Sequence, residues 1–458
     1  MGRCLGGCES GGRGPQQRTP IPSLALLASQ PFLSLSPSPQ STLSAGPAAT
    51  AVLTLPPTFV SPTATTSIPA SSPYPPPPFD AAAALARLGT ARLGHVLLAA
   101  PVLPSTQTLL QGAGGALPDG TVAVADVQMS GRGRAGNAWA SPPGCLMASA
   151  FTAAAPIPGA RLPFVQYAVA LAVVRGVKAL VEGACLAAGW GPDDAARWAA
   201  GADVRIKWPN DVYAGPAAVP PSASPPPPSA AAAGPAVSRK KLAGVLCHST
   251  YVSGPGGAGP GAGGAFRVVA GFGVNVTNEP ATSAPAPADA PVAPPMLEWA
   301  RVADLVPLPA GVGGGDPGAA RAAAVEAAGG RPALLAAILG EVEAGLARLA
   351  ASGASWAPGG ADAAAYLATW LHTGQVVTVV DPPEAPGGGS DRRGKPPPSP
   401  PPDHPPRPPA GAAVTITGLA PSGYLLAVDG VTGTAYELHP DGNSLDFFQG
   451  LVRRKVVK

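Results

Sequence analysis

A glycine- and arginine-rich segment, residues 131–136, is the first stretch whose residue types could do chemistry, and it reads GRGRAG. Glycines allow a backbone to wrap closely around a ligand, and arginine guanidinium groups bind phosphate oxygens through paired hydrogen bonds. The segment also fits the GxGxxG dinucleotide fingerprint, but residues 141–144 (SPPG) interrupt the helix that should follow. We therefore predict a loop that neutralises an anionic ligand. The alternative is a flexible surface loop with solvated arginines.

A second group of polar residues closes a predicted strand at 204–208. The sequence KWPND at 207–211 presents a cation, an amide and a carboxylate, and Lys241 lies at the start of the next predicted strand. The two strands form a predicted hairpin, with Lys207 and Asp211 on one side and Lys241 on the other. Two lysines and an acid on adjacent strands can cradle a nucleotide phosphate and its metal ion. Ordinary surface ion pairs are the alternative.

The register of the second strand decides which lysine faces a site. Lys240 and Lys241 are neighbours, and successive side chains on a strand point to opposite faces. Only one of them can enter a site on that face, and alternation alone does not say which. Further on, residues 271–276 (GFGVNV) form a glycine-punctuated strand, which permits a ligand to approach the backbone closely.

A small set of elements must position these motifs. The clearest is a helix over 163–189, which begins at a proline, ends at a glycine and has apolar residues at helical spacing. The other predicted helices are 81–93, 332–351 and 361–372, and the predicted strands are 122–127, 204–208, 242–247 and 267–276. Short β-type runs after residue 413, together with 375–381, predict a small β-barrel at the C-terminal end.

Composition divides the chain into folded blocks and inserts. Glycine (59) and proline (62) make up about a quarter of the 458 residues, which is typical of chains with low-complexity segments. Proline- and glycine-rich stretches at 214–238, 253–264 and 382–412 cannot bury enough apolar surface to order themselves, so we predict surface inserts there. A formal net charge of +3 gives no argument for binding nucleic acid.

The first 79 residues differ from the rest. No Asp or Glu occurs between Ser10 and Phe79, and Ser, Thr, Pro and Ala dominate. Acid-poor, hydroxyl-rich N-termini are typical of organellar transit peptides. We therefore predict that 1–79 is disordered and directs import, with a plastid favoured over a mitochondrion, and with the cytoplasm as the alternative.

Six motifs, taken in order, resemble those of biotin–protein ligases, also called holocarboxylase synthetases. The motifs are Ser105-Thr106-Gln107, Gln128 ahead of 131–134, Trp139 to Gly144, Lys207 to Asp211, Lys241 to Leu246, and Gly271 to Asn275. Residues 369–375 (TWLHTGQ) and 439–446 (HPDGNSLD) resemble the eukaryotic, monofunctional branch, which lacks a DNA-binding domain. The chain departs from the family at Ala135 and Asn137, where arginine is frequent, so we expect a less positive loop.

The resemblance implies an α/β (α+β) fold in two parts. Residues 80–372 would form a class II synthetase-like catalytic domain with a mixed sheet and flanking helices, and 373–458 a small SH3-like barrel. The implied reaction activates biotin with ATP to biotinyl-5'-AMP and then transfers biotin to a lysine of a carrier domain. No protein nucleophile is needed, because positioning and charge neutralisation supply much of the rate.

The resemblance also implies roles for individual residues. The residues implied to bind biotin are Ser105, Thr106, Gln107, Gln128, Arg132, Gly133, Arg134, Trp139, Lys241 and Gly244. The residues implied to bind the nucleotide are Arg132, Arg134, Lys207, Asn210, Asp211 and Asn275. The implied catalytic residues are Lys241, Arg134 and Lys207, and Asp211 is the implied ligand of Mg²⁺. Lys241 and Gly244 match the family's Lys-x-x-Gly motif, so the resemblance implies that Lys241 enters the site and that Lys240 is solvated.

The implied co-substrate and ion are ATP and Mg²⁺, and the implied partners are the biotin carboxyl carrier domains of carboxylases. We expect no nucleic-acid or membrane partner, and either a monomer or a homodimer. Two other functions stay open. One is a lipoate ligase-type enzyme of the same superfamily, which needs a different substrate loop from 131–136. The other is a non-catalytic, proline-rich adaptor with a degenerate domain.

Overall fold

The computed structural model of the protein describes eleven stretches of the chain. They are residues 51–54, 76–134, 137–216, 239–252, 265–279, 299–309, 315–351, 354–380, 408–439, 445–446 and 451–453. The predicted insert 253–264 lies outside them, as do most of the inserts 214–238 and 382–412 and most of the predicted leader 1–79. Within these stretches, no helix has the length and apolar character needed to cross a membrane.

An eight-stranded mixed sheet forms the centre of the larger part. Its strands are β1 (Ala51–Thr54), β2 (Val96–Leu103), β3 (Val122–Gln128), β4 (Cys145–Ala155), β5 (Val204–Lys207), β6 (Asp211–Ala214), β7 (Lys240–Val252) and β8 (Ala265–Asn275). Their order across the sheet is β1-β2-β3-β4-β8-β7-β6-β5. The first three strands run parallel to one another, and every later pairing is antiparallel.

Seven α-helices are described in this part. They are α1 (Ala81–Arg87), α2 (Thr106–Ala113), α3 (Leu162–Ala187), α4 (Pro192–Gly201), α5 (Pro317–Ala327), α6 (Gly330–Ala351) and α7 (Ala361–Thr369). Helix α3 packs against α6, α4 and α5 and against strand β7. The predicted helix over 163–189 is therefore confirmed within a few residues, and its apolar residues are buried around most of its circumference.

Helices cover both faces of the sheet. Leu97 belongs to the core shared with α3 and α6, whereas its neighbour Leu98 packs in a separate cluster with Leu110 of α2. Successive strand residues point to opposite faces, so α2 lies on the face away from α3. The predicted mixed sheet with flanking helices is confirmed.

A second sheet follows α7. Its strands are β9 (Val376–Val380), β10 (Ala413–Leu419), β11 (Leu425–Asp429), β12 (Ala435–Leu438), β13 (Leu445–Asp446) and β14 (Leu451–Arg453), in the order β12-β11-β10-β9-β14-β13. The pairings are antiparallel except that β14 runs parallel to β9. A small sheet thus lies where the sequence predicts a barrel. Its closure into a barrel stays a prediction.

The predicted helix over 81–93 is too long, because α1 ends at Arg87. The carboxylate of Glu343 on α6 accepts hydrogen bonds from three consecutive N–H groups of residues 91–93, at 2.7–3.0 Å. These bonds take the donors that a continued helix would use, and Gly94 then turns with a φ of 87°. The helix has already ended by Leu88, whose backbone is extended, and a distant carboxylate holds the following residues 91–93 outside any helix.

The prediction that order begins at Asp80 is also wrong. Strand β1 pairs with β2, and residues 76–79 are tied to the core. Arg331, which is 3% exposed, donates to the carbonyl of Pro77 at 2.5 Å and to Asp126 Oδ1 at 2.7 Å. The N–H of Phe79 donates to the same Asp126 oxygen at 3.0 Å. A disordered leader must therefore end before these residues.

Candidate functional site

One open cleft gathers all but two of the predicted site residues. Those that line it are Ser105, Thr106, Gln107, Gln128, Arg132, Gly133, Arg134, Trp139, Asn210, Asp211, Lys241 and Gly244. They come from the start of α2, the end of β3, the glycine- and arginine-rich loop, the turn between β5 and β6, and strand β7. Residues far apart in the sequence therefore meet at the centre of the large sheet.

One end of the cleft is a buried hydrogen-bond network at the N-terminus of α2. The N–H of Thr106 donates to Gln128 Oε1 at 2.8 Å, and the Thr106 hydroxyl bonds Ser149 Oγ at 2.9 Å. Ser149 in turn donates to Gln107 Oε1 at 3.1 Å, and Gln107 Nε2 donates to the carbonyl of Val269 at 3.2 Å. Buried polar groups that hold one another in place present fixed donors and acceptors to a ligand.

The floor of the cleft is made of glycines, and the indole of Trp139 lies on them. A Cβ added at Gly244 would come within 2.9 Å of the ring, and one at Gly273 within 2.9 Å as well. The Trp139 Nε1–H is buried and has no hydrogen-bond partner among the described residues. Close approach therefore requires glycine at both positions, and the indole forms an apolar wall with one unused donor.

The other end of the cleft is cationic. Lys241 Nζ lies 2.8 Å from Asp211 Oδ1 and 5.2 Å from the centroid of the Trp139 ring. Arg134 donates to Asn210 Oδ1 at 3.3 Å. Among the described residues that line the cleft, the cations outnumber the carboxylates three to one. The site therefore suits an anionic ligand more than a neutral one.

The two neighbouring lysines face as predicted. Lys241 lines the cleft with 21% of its side chain exposed, whereas Lys240 is exposed at the surface. The backbone of Lys241 has a second contact besides its pairing with β6: its carbonyl accepts the N–H of Ala300 at 3.0 Å. Both strand pairing and this contact fix the register that points Lys241 inward.

Two predicted site residues lie outside the lining of the cleft. Lys207 is directly opposite Asp211 in the sheet, but it sits on the edge strand β5, one strand further from the cleft, with its Nζ 5.9 Å from the ring of Tyr213. Asn275 is 8% exposed and donates to the carbonyl of Lys241 at 3.4 Å. The nucleotide contacts expected of these two residues stay predictions, and the contact that the structure shows for Asn275 is its support of the strand of Lys241.

Sequence reasoning missed Ser149, Met147 and several neighbours that also line the cleft. Ser149 is one of two buried hydroxyl residues, with Thr152, inside the otherwise apolar strand β4, so no local pattern marks it. Gly271 and Gly273 could be found from the sequence, because the glycines in the strand at 271–276 indicated that a ligand can approach the backbone closely there. A Cβ at Gly271 would meet Gln107 Oε1, which explains why the polar end also needs a glycine beneath it.

The donor set for a metal ion is sparse. No cluster of three or more His, Cys, Asp or Glu side chains suited to a metal is present among the described residues. Asp211 is the one carboxylate that lines the described cleft, and it is paired with Lys241. Mg²⁺ commonly takes one or two carboxylates, with substrate phosphates and water as its remaining ligands. The residues therefore fit Mg²⁺ only when a nucleotide supplies most of the ligands.

Comparisons of the sequence with known proteins identify a matching family and its members. The family model of the biotin/lipoate A/B protein ligase family matches residues 99–258. The chain is 31% identical over 369 residues to biotin–protein ligase 2 of Arabidopsis thaliana, covering 81% of this chain and 80% of that protein. It is 32% identical over 368 residues to the chloroplastic biotin–protein ligase 1 of the same plant, covering 80% and 71%.

Among solved structures, a biotin protein ligase from Aquifex aeolicus in complex with biotin and ATP matches at a TM-score of 0.39 and 17% identity, covering 75% of this chain and 94% of that one. The sequence relatives are matched over most of their own length and at more than 30% identity. The chain belongs to the biotin–protein ligase family.

Proposed function

We propose that this protein activates biotin with ATP and transfers it to a specific lysine of biotin carboxyl carrier domains. The observation that carries the proposal is the division of the cleft into a buried polar end and a cationic end, joined by a glycine floor under Trp139. Biotin has the matching order of groups: a polar ureido ring, an apolar sulfur ring and chain, and a carboxylate.

The polar end recognises the ureido ring. That ring has two N–H donors and one carbonyl acceptor, and Ser105, Thr106, Gln107 and Gln128 offer hydroxyl and amide partners for them. Because these side chains are largely buried and already held by one another, little ordering is needed when biotin binds. The indole of Trp139 covers the apolar part of the ligand.

The cationic end supports formation of the adenylate. A carboxylate oxygen of biotin attacks the α-phosphorus of ATP, the bond from that phosphorus to the bridging oxygen breaks, and pyrophosphate leaves with the electron pair. Two anions repel as they approach, so Lys241, Arg132 and Arg134 offset the charge that builds up on the phosphate oxygens. Asp211 is the residue that would hold Mg²⁺, and the ion would supply further charge neutralisation there.

The second step needs little from the cleft beyond orientation. The neutral amine of the carrier lysine attacks the acyl carbon of the mixed anhydride, AMP leaves, and the nitrogen gives its proton to water as the amide forms. Because the anhydride is already activated, a correctly placed amine suffices. The carrier must therefore dock with its lysine at the mouth of the cleft.

Exchange of labelled pyrophosphate into ATP by the full-length chain tests the function. We expect exchange that depends on biotin. Exchange that depends on lipoate supports the lipoate ligase alternative, and no exchange with either acid supports the non-catalytic adaptor. The full chain is needed because residues 76–79 belong to the folded part.

We also propose import into a plastid, directed by residues ahead of strand β1. The support is the acid-poor composition of this segment and the chloroplastic name of one Arabidopsis relative. Residues 1–50 fused to a fluorescent reporter should bring it into plastids. A diffuse cytosolic signal would refute the targeting role, and a mitochondrial signal would change the organelle.

A further inference from the structure

A short segment between α7 and β9 joins the C-terminal sheet to the strand that precedes the cleft. Here the N–H of Leu371 donates to the carbonyl of Ile206 at 2.9 Å. The next residue, His372, is fully buried at 0% exposure, with its ring edge-on to Trp370 at 5.3 Å between centroids. A buried imidazole at a junction between two sheets is a titratable group that the proposed mechanism does not use.

The hydrogen bonds of His372 fix its tautomer. The backbone N–H of Trp208 donates to Nε2 at 2.8 Å, and Nδ1 lies 2.9 Å from Gln375 Oε1. A backbone N–H can only donate, so Nε2 carries no proton and Nδ1 donates to Gln375. The ring is therefore neutral, and it accepts from one side of the junction while it donates to the other.

Trp208, whose N–H donates to His372, is followed closely in the chain by two residues that line the cleft. Two residues further on, Asn210 receives the hydrogen bond of Arg134, and Asp211 holds Lys241. The N–H of Trp208 is thus only a short turn away from the groups that orient two of the cationic side chains.

The indole of Trp208 is held from the C-terminal sheet as well. Its Nε1–H donates to the hydroxyl of Tyr167 at 2.9 Å, and that hydroxyl donates to the carbonyl of Gly423 at 2.5 Å, between β10 and β11. Backbone and ring of this tryptophan are therefore both fixed by contacts that reach into the C-terminal part.

We propose that His372 is a positioning residue for adenylate formation: its neutral ring fixes the Trp208 N–H and thereby the turn that presents Asn210 and Asp211 to the cleft. This role rests on the proposed function. It makes the C-terminal sheet part of the first chemical step, through a contact that touches neither biotin nor ATP.

The charge environment agrees with a neutral ring. Burial, assisted by the nearby positive charge of Lys207, lowers the pKa of His372 to about 4, although the hydrogen bond to Gln375 opposes this. Because the folded-state pKa lies below the ordinary value of 6.5, neutral His372 stabilises the fold fully above pH 6.5. That contribution is lost as the pH falls from 6.5 towards 4, where Nε2 gains a proton and can no longer accept from Trp208.

Three variants separate positioning from folding. His372→Ala removes the acceptor, and His372→Gln can restore an acceptor without a titratable ring. Val414→Ala, in a fully buried position of β10, serves as a control for general destabilisation of the C-terminal sheet. Biotin-dependent pyrophosphate exchange is measured on full-length proteins well below each melting temperature, together with hydrogen exchange of the peptide spanning 207–213.

We expect His372→Ala to lower kcat for exchange, or raise the KM for ATP, by about 10- to 100-fold, because a small misplacement near reacting groups has effects of this size. The peptide spanning 207–213 should exchange faster, and His372→Gln should recover part of both losses. The proposal is overturned if folded His372→Ala matches wild type, if Val414→Ala gives the same kinetic loss, or if Gln restores nothing. Absence of biotin-dependent exchange in wild type would instead refute the proposed function, and this role would fall with it.

Discussion

Lys241→Ala is expected to slow adenylate formation by about two to three orders of magnitude. The structure gives the reason for this size. The ammonium group is held at 2.8 Å by Asp211 and lies 5.2 Å from the ring of Trp139, so it is fixed in the cleft before any substrate arrives. Loss of one such preorganised donor costs about 10²- to 10³-fold in kcat, or about 2.7–4 kcal/mol.

The same change should leave the protein folded but less stable. The Lys241 and Asp211 side chains are each only about one-fifth exposed, so loss of the ammonium group leaves a partly buried carboxylate unpaired, which costs more than the about 0–1 kcal/mol of a surface ion pair. We therefore expect a melting temperature below that of wild type, and the rate is measured well below both melting temperatures. Measurement of both quantities on one preparation separates a chemical role from a structural one.

The assay is single-turnover formation of biotinyl-AMP from labelled ATP, and the chain supplies two matched controls. Lys240→Ala removes the neighbouring lysine, which is exposed, and should change the rate less than about threefold. Lys207→Ala should also have a small effect, because Lys207 lies on the edge strand outside the cleft lining. The reasoning is refuted if Lys240→Ala is the damaging change, or if all three variants behave alike.

Two further predictions concern the contacts of Gly273 and of buried Arg331. In Gly273→Ala the new Cβ would lie 2.9 Å from the indole of Trp139, which must shift; we expect biotin to bind about tenfold more weakly by calorimetry, with unchanged binding as the contrary result. Removal of 1–79 should cost about 1–3 kcal/mol of unfolding free energy relative to removal of 1–75, because buried Arg331 then loses its carbonyl acceptor. Chemical denaturation of the two truncated proteins measures the difference, and equal stabilities would show that this contact contributes nothing.

The sequence predicted best where chemistry or periodicity was local. The helix over 163–189 had a proline start, a glycine end and a continuous apolar pattern, and the structure has it as Leu162–Ala187. Strand alternation required Lys240 and Lys241 to face opposite sides, and the resemblance to the family's Lys-x-x-Gly motif selected Lys241 as the one that enters the site. The cationic residues of the cleft were indicated by the chemistry of their motifs, whereas Ser105, Thr106, Gln107, Gln128 and Trp139 were assigned only through the resemblance to the family.

Other features depended on long-range contacts that no local pattern records. Strand β4 reads CLMASAFTAAA, and its alanines have weak strand preference, so neither the strand nor its cleft residue Ser149 could be predicted. Lys207 was assigned to the site because it begins the KWPND motif. The order of the strands places it on the edge strand, outside the lining of the cleft, and its role towards the nucleotide stays a prediction. The helical pattern after Asp80 gave no sign that the helix would end at Arg87 or that Glu343 would hold residues 91–93 in a loop.

Strand β7 has one further consequence for how Lys241 is held. Its two ends lead into the long segments 217–238 and 253–264, whereas its interior pairs continuously with β8 and, near Lys241, with β6. Long connections constrain their ends weakly, and doubling such a length costs only about 0.6 kcal/mol. The lysine therefore owes its position to noncovalent pairing rather than to the chain path, and cutting both segments with a protease should leave a three-fragment protein that stays assembled and still forms the adenylate.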